Sequence, residues 1–339
     1  MNHVGQAKRA TLAIPPPQFS AAAAEPASAR TDVRSDCSDR ADLVPTIFHE
    51  PWWLNSVSRG TYQEVQEIVA GRCVGRLPFV QSRHRGMTII CMPTLTHVLG
   101  PAIDEGSGSP TTRAIRRIAI TKALVERLPR HSCLWIKCHH DVVDTLGFQA
   151  HGFSTGAHFT SEISPGEESD LWLAMRDTAR RVIRRASERL HVVELRDPDE
   201  FMAFYDRNLR MRDLTNNYDG NVCAATLAEC LTRNVGRITV AIDEKRRMQA
   251  AIVTVWDRRS SYYLMTTRTQ YADSGAISLL IWDAIKDASA NGRILDLDGF
   301  SKNGDIQFLT RFGGRITPRY SIERASMKYR LVKKITQLR

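Results

Sequence analysis

The chain has 339 residues, of which 42% are hydrophobic and 25% charged, and a formal net charge of +10. These values are ordinary for a soluble globular protein of one or two domains, and no apolar run reaches the length of a membrane span. The positive balance favours anionic partners (phosphates, nucleotides, nucleic acid or anionic glycans) without choosing among them.

Residues 1–45 are Ala/Pro-rich with scattered charge and read as a disordered tail. They show no positive-then-apolar export signal, so a cytoplasmic location is expected. The seven cysteines are odd in number, and without an export signal they read as reduced thiols. YQEVQEIVA (62–70), RCVGRLPFVQSR (72–83) and MTIICMP (87–93) form a meander of strands. A Gly-rich loop, GPAIDEGSGSP, leads into a helix near Thr112–Leu128, and CLWIKC (133–138) returns as a strand. Cys133 and Cys138 point to opposite faces of that strand. With His139 and His140 they lack the spacing of a zinc site, so core thiols and no metal are expected. A short helix in DVVDTLGFQAHG and the strand AHFTSEI (157–163) follow.

Ser164-Pro-Gly then marks a linker. Leu171, Met175, Ala179, Val182, Ala186 and Leu190 predict one amphipathic helix over 166–190. Its other face carries Arg176, Arg180, Arg181, Arg184, Arg185 and Arg189. That face is either a solvated helix surface or a rim of guanidinium charge for an anionic donor or acceptor.

RITVAID (237–243), MQAAIVTVW (248–256) and SYYLMTT (261–267) form a second meander. SGAISLLIWDAIKDASANG predicts an amphipathic helix, with Ser274 placed to cap it and Asn291-Gly292 ending it. The strand Arg293–Asp298 returns through that helix and so lies parallel to 261–267. A short helix at Ile306–Arg311, a Gly-Gly turn and the strand TPRYSIERAS complete the unit. The order repeats that of the first half, which reads as an old duplication.

Meander, helix, parallel strand, helix, strand resembles the GNAT acyltransferase fold. The tandem arrangement, with the central M-R-D-x-x-R-x-x-I-R-R-A helix and a C-terminal D-x-D-G…F-x-x-x-F-G-G, resembles the FemAB-type and BioF-like acetyltransferase group. The resemblance covers roughly residues 46 to 326. It implies an α/β protein (α+β in sheet detail) of two tandem GNAT-like halves, each a mixed sheet with helices on both faces. The N-terminal half would span 46–165, the connecting basic helix 166–190 and the C-terminal half 191–330. It further implies acyl transfer from a thioester donor to the amine of a small molecule or amino sugar. Acyl-CoA (acetyl-CoA) would be the co-substrate, with no permanently bound cofactor. Aminoacyl transfer from tRNA is the alternative within the group, and a non-catalytic binding module for an anionic ligand is the alternative outside it.

In such a fold the strands 261–267 and 293–298 splay. Backbone groups then stand free for a donor arm, and donor phosphates sit at the start of the next helix. Arg268 with Ser274, Gly275 and Ala276 would hold the donor. Asp273 stands where the usual coenzyme A loop has glycine, and Leu309 stands where Fem-type transferases have lysine, leaving Arg311 or Lys302 to supply that charge.

Asp296 and Asp298 are two residues apart and share one face at the carboxyl end of a central strand, where ligands bind in α/β sheets. Two nearby carboxylates raise one another's pKa, which suits a base that deprotonates an ammonium. For Asp298 a turn with Gly299, its carboxylate capping the next helix, is the other reading. Tyr262 and Tyr263 face opposite ways on the splayed strand, and Tyr263 is assigned to the cleft. Arg212 and Asn216, in the loop after a helix, and Lys302, Arg180 and Arg184 are the acceptor-side candidates. His97 shows no partner in the sequence and reads as structural.

Overall fold

The computed structural model describes residues 43–300 and 303–337. Most of the tail expectation, and Lys302, lie outside those residues. Leu43 is buried at 2% exposure, so the packed chain starts before residue 46.

A 3-10 turn at Ile47–His49 leads into α1 (Pro51–Ser58). Then come β1 (Gln63–Val69), β2 (Arg72–His84), β3 (Met87–Cys91) and β4 (Ala102–Ile103), α2 (Pro110–Glu126), β5 (Cys133–Lys137), α3 (Leu146–Gln149) and β6 (Ser154–Ile163). The connection holds α4 (Glu168–Ala174) and α5 (Asp177–Ser187). The rest comprises β7 (Leu190–Leu195), α6 (Pro198–Arg210), α7 (Gly220–Thr232), β8 (Gly236–Asp243), β9 (Met248–Trp256), β10 (Ser260–Arg268), α8 (Ala276–Ala290) and β11 (Ile294–Asp296). α9 (Asn303–Leu309), β12 (Arg315–Ala325) and α10 (Met327–Gln337) end the described chain.

The expectation of two halves with separate sheets is overturned. Among the described residues one mixed twelve-stranded sheet runs through the chain in the order β1-β2-β3-β5-β12-β6-β11-β10-β9-β8-β7, with β4 on β2. The reason lies in β12. Its eleven residues are long enough to use both edges, pairing antiparallel with β5 on one side and with β6 on the other. β6 in turn pairs with β11, so strands from the two ends of the sequence interleave and no sheet edge remains between the halves.

The connecting segment also differs from the single helix predicted. It breaks at Met175, whose extended backbone (φ −72°, ψ 150°) buries its side chain, while the Arg176 amide donates to the Arg311 carbonyl at 3.0 Å. β7, α7 and α10 were not read from the sequence.

Helices cover the sheet unevenly. α5 and α8 pack on one face around Leu280, Ile281, Leu295 and Leu297. α1, α6 and α7 cover the opposite face of the same strands, around Trp53, Phe201, Phe204 and Leu227. α2 and α3 close the first half with Phe79, Leu124, Leu134 and Phe148. Cys133 joins the cluster with Tyr329 and Cys138 that with Leu134, so the two thiols do face opposite ways.

α5 meets the start of α8 with no clearance. A Cβ on Gly275 would come within 2.7 Å of the Val182 carbonyl and 2.8 Å of the Ala186 Cβ, although its φ of −96° suits any residue. Gly275→Ala is therefore expected to destabilise by about 1–3 kcal/mol through overpacking. A urea-denaturation midpoint equal to the wild type would refute this close contact.

Candidate active site

Alternation places the acids. Leu295 and Leu297 enter the core under α8, so Asp296 and Asp298 project together from the other face of the chain, as the spacing implied. β10 and β11 run parallel over three residue pairs only, Ser260–Ile294 to Tyr262–Asp296. β10 continues on β9 to Arg268, so its edge towards β11 leaves the ladder after Tyr262. A bulge between Tyr263 and Met265 sharpens this departure by leaving Leu264 without a register partner.

The opening is met by residues from the first half. The loop after β3 lies beside β5, with the Leu99 amide donating to the Lys137 carbonyl and the His139 amide to the Leu99 carbonyl, both at 2.8 Å. Two residues earlier the same loop carries His97. Its Nδ1 lies 3.7 Å from Asp298 Oδ2 and is buried without a hydrogen bond, and its ring stacks on Phe48 at 5.6 Å. The Leu264 carbonyl also interacts with the ring, so His97 touches both sides of the opening. From β5, Lys137 Nζ reaches Asp298 Oδ2 at 2.6 Å. The structure thus gives His97 an acid neighbour and an unsatisfied nitrogen, which the reading of it as a partnerless structural histidine missed. Lys137 was missed too.

The two acids hold different charge states. Burial, then the nearby Asp298 charge, pushes Asp296 up to about 6, against hydrogen bonding from Thr160 and attraction by Arg319. Thr160 Oγ1 donates to Asp296 Oδ1, and Arg319 lies 3.4 Å from Oδ2 while also pairing with Glu162. Burial acts upward on Asp298 as well, but Lys137 and His97 overrule it and hold it down to about 2. For His97 burial dominates and lowers the pKa below 6.5, with Asp298 opposing. At neutral pH the cluster therefore holds an ionised Asp298 beside a neutral imidazole, the state of a proton acceptor with an orienting acid.

Asp296 is 5% exposed, which makes its charge a stability matter. A raised carboxyl pKa favours folding most below the unfolded value near 4, and this contribution is lost as pH rises to about 6. Asp296→Asn should accordingly gain on the wild type between pH 4 and pH 7, by up to about 3 kcal/mol. Urea titrations at both pH values test this, and a pH-independent difference would contradict it.

The other candidates divide. Tyr263 packs on the α8 face, not on the face of the acids, and burial keeps its hydroxyl protonated near Thr266 and Asp305. Arg268 is exposed at the end of β10, and Arg212 donates to its carbonyl, so these two do come together. Asn216 instead ties its own loop, donating to Asp206 at 2.6 Å and accepting from the Tyr218 amide at 2.9 Å. Arg180 pairs with Asp177, and Arg184 lies over the Trp172 ring at 5.5 Å. Ser274 makes no side-chain cap. α8 has no side-chain cap, and Asp273 instead closes the turn before it, accepting from the Gly275 amide at 2.8 Å and pairing with Arg189 at 2.8 Å. An acid at that helix start, flanked by α5, does not fit a donor diphosphate. Leu309, at the expected lysine position, is 4% exposed in the core. Arg311 lies over the Phe308 ring at 4.3 Å and donates to Ser278 at 2.7 Å.

His139 has a structural part. Its Nε2 donates to the Pro101 carbonyl at 2.9 Å, and burial lowers its pKa to about 4. A cavity of about 1120 Å³ beside it is lined by His140, Trp256, Arg259 and Arg293, at the end of β11 away from Asp298.

Residues 174–299 match the acetyltransferase (GNAT) domain family model. Among solved structures the chain is similar to FemX, at a TM-score of 0.60 and 10% identity over 79% of this chain and 90% of that one. It is similar to L-PGS from Bacillus licheniformis at a TM-score of 0.51 and 10% identity, over 84% and 95% of the two chains. A C-terminal domain from Agrobacterium fabrum, described as belonging to a lysylphosphatidylglycerol synthetase, gives a TM-score of 0.52 and 12% identity over 84% and 91%. No curated protein matches the chain. The protein has the GNAT acetyltransferase fold, shared at low identity with FemX.

Proposed function

We propose that the protein is an N-acyltransferase that joins an activated acyl group to an amine at the opening between β10 and β11. The observation that carries this reading is the His97–Asp298–Lys137 cluster at the point where the two strands part. The free edge of β10 beyond Tyr262 offers backbone groups to an extended donor arm. The amine nitrogen attacks the acyl carbonyl carbon, and the bond from that carbon to the donor's sulfur breaks. Neutral His97 takes the proton from nitrogen, and ionised Asp298 stabilises the imidazolium that forms. The departing thiolate takes its proton from water, since Tyr263 is buried on the α8 face away from His97 and Asp298. Lys137 keeps Asp298 charged.

In this reading Asp296 acts behind the cleft, holding β11 to β6 through Thr160. The base role assigned to it from spacing passes to His97, which stands at the opening. Arg268 and Arg212 are the cationic anchors for an anionic group at the end of β10.

Aminoacyl transfer from tRNA is the second reading. The observation that favours it is Asp273 on the Gly275 amide, which sets a carboxylate where donor phosphates would meet the start of α8. Thermal shifts separate the two: stabilisation by acetyl-CoA supports a thioester donor, and stabilisation by tRNA alone supports the second. Asp273→Gly is expected to tighten acetyl-CoA binding by about tenfold, by removing a charge that repels phosphate. Calorimetric titration checks this, and unchanged affinity would remove Asp273 from the account of donor choice.

A further inference from the structure

α10 has two apolar faces. Tyr329 is 6% exposed and packs with Val332 against Met87, Ile89 and Cys133, which fastens the helix to β3 and β5. On another face Met327, Leu331 and Ile335 are 73%, 58% and 57% exposed. Their four-residue spacing lines them up as a single stripe. Lys328, Arg330 and Lys334 flank it, Lys333 lies on the side of Cys133, and the helix sequence MKYRLVKKITQ contains no acid.

We propose that α10 docks the protein onto the surface of an anionic lipid bilayer. The apolar stripe would enter the boundary between headgroups and acyl chains, and the three flanking cations would meet the anionic headgroups. Charge complementarity selects this occupant. A second copy of the chain would bring the same three cations face to face. The three outward side chains also fall short of the roughly 800 Å² per partner that a stable interface buries. Single-stranded nucleic acid stacks its bases on aromatic side chains, and the one aromatic residue of α10, Tyr329, is buried.

No helix among the described residues is long and apolar enough to cross a membrane, so attachment through α10 is peripheral and sensitive to salt. It also sets an orientation. Cys133, Trp135 and Lys137 alternate onto one face of β5, the face that α10 covers at Cys133. Docking would bring the sheet face with Trp135, Lys137 and Asp298 beside the headgroups. This inference does not depend on the transfer reaction.

The test is sedimentation of the full chain with phosphatidylcholine vesicles, with and without phosphatidylglycerol. The expected result is about tenfold more bound protein on the anionic vesicles, released by added salt. Leu331→Ser with Ile335→Ser should abolish binding without moving the thermal midpoint, since both side chains point outward. Lys328→Glu with Lys334→Glu should reduce binding to the level on neutral vesicles. Equal binding to both vesicle types, or full binding by the Leu331/Ile335 variant, would overturn the proposal. So would failure to bind vesicles, whether accompanied by RNA binding that the Lys328/Lys334 variant loses or by dimerisation that the Leu331/Ile335 variant loses.

Discussion

His97→Ala is expected to lower kcat/KM for acyl transfer by about 10²–10⁴-fold, the usual worth of a positioned general base. The chain should stay folded, because the side chain is 18% exposed and its Nδ1 already lacks a hydrogen bond. The pH profile carries more information than the loss. His97 accepts a proton only when neutral, and burial sets its pKa below 6.5. The wild-type rate should therefore climb as pH rises through a value below 6.5 and then level off, as far as this group controls it. Asp298 supports the protonated ring, so Asp298→Asn should move that limb to lower pH while reducing the plateau. A limb unmoved by Asp298→Asn would mean that a different group titrates. Steady-state rates for the three proteins across pH 5–8 decide it.

The second large effect concerns the loop that carries His97. Trp53 of α1 is 0% exposed, and its indole N–H donates to Thr96 at 3.2 Å, one residue before His97. The same loop end is held by His49, whose Nε2 donates to the Gly100 carbonyl at 3.2 Å, and by the Leu99 pairing with β5. Gly100 has φ +95°, and a Cβ there would come within 3.3 Å of the Cys138 backbone, so this approach depends on glycine. Trp53→Ala should cost about 3–5 kcal/mol of stability, the range for emptying a large buried aromatic site. It should also lower the transfer rate by freeing the His97 loop. Trp53→Phe fills most of the cavity but removes the hydrogen bond. It should restore most of the stability and less of the rate. A cost for Trp53→Ala below about 1 kcal/mol would show that α1 does not anchor this loop.

Local pattern made some of this legible in the sequence. Alternation placed Asp296 and Asp298 on one face, and three-four spacing marked α8. Helix α8 between two strand-like runs gave the parallel pair β10 and β11. What failed was long-range. Nothing within TPRYSIERAS says that both its edges will be used, so two sheets were expected where β12 joins the strands into one. His97 and Lys137 stand about 160–200 residues from Asp298 in the chain, and the proximity of a charge partner at that separation leaves no trace in spacing. The break at Met175 was hidden because its apolar side chain continues the helical stripe while its backbone leaves the helix. Ser274 suggests a cap by its residue type, whereas α8 has no side-chain cap and Asp273, read as an obstacle to phosphate, closes the turn before it.

The central claim is that the donor lies along β10 where β11 leaves it. Hydrogen–deuterium exchange of the wild-type chain, with and without saturating acetyl-CoA, tests this most directly. Slowed exchange is expected for amides in 263–268 of β10 and 297–299 after β11, with little change around the cavity of His140, Arg259 and Arg293. Protection confined to that cavity, or no protection in 263–268 by either acetyl-CoA or aminoacyl-tRNA, would contradict the account.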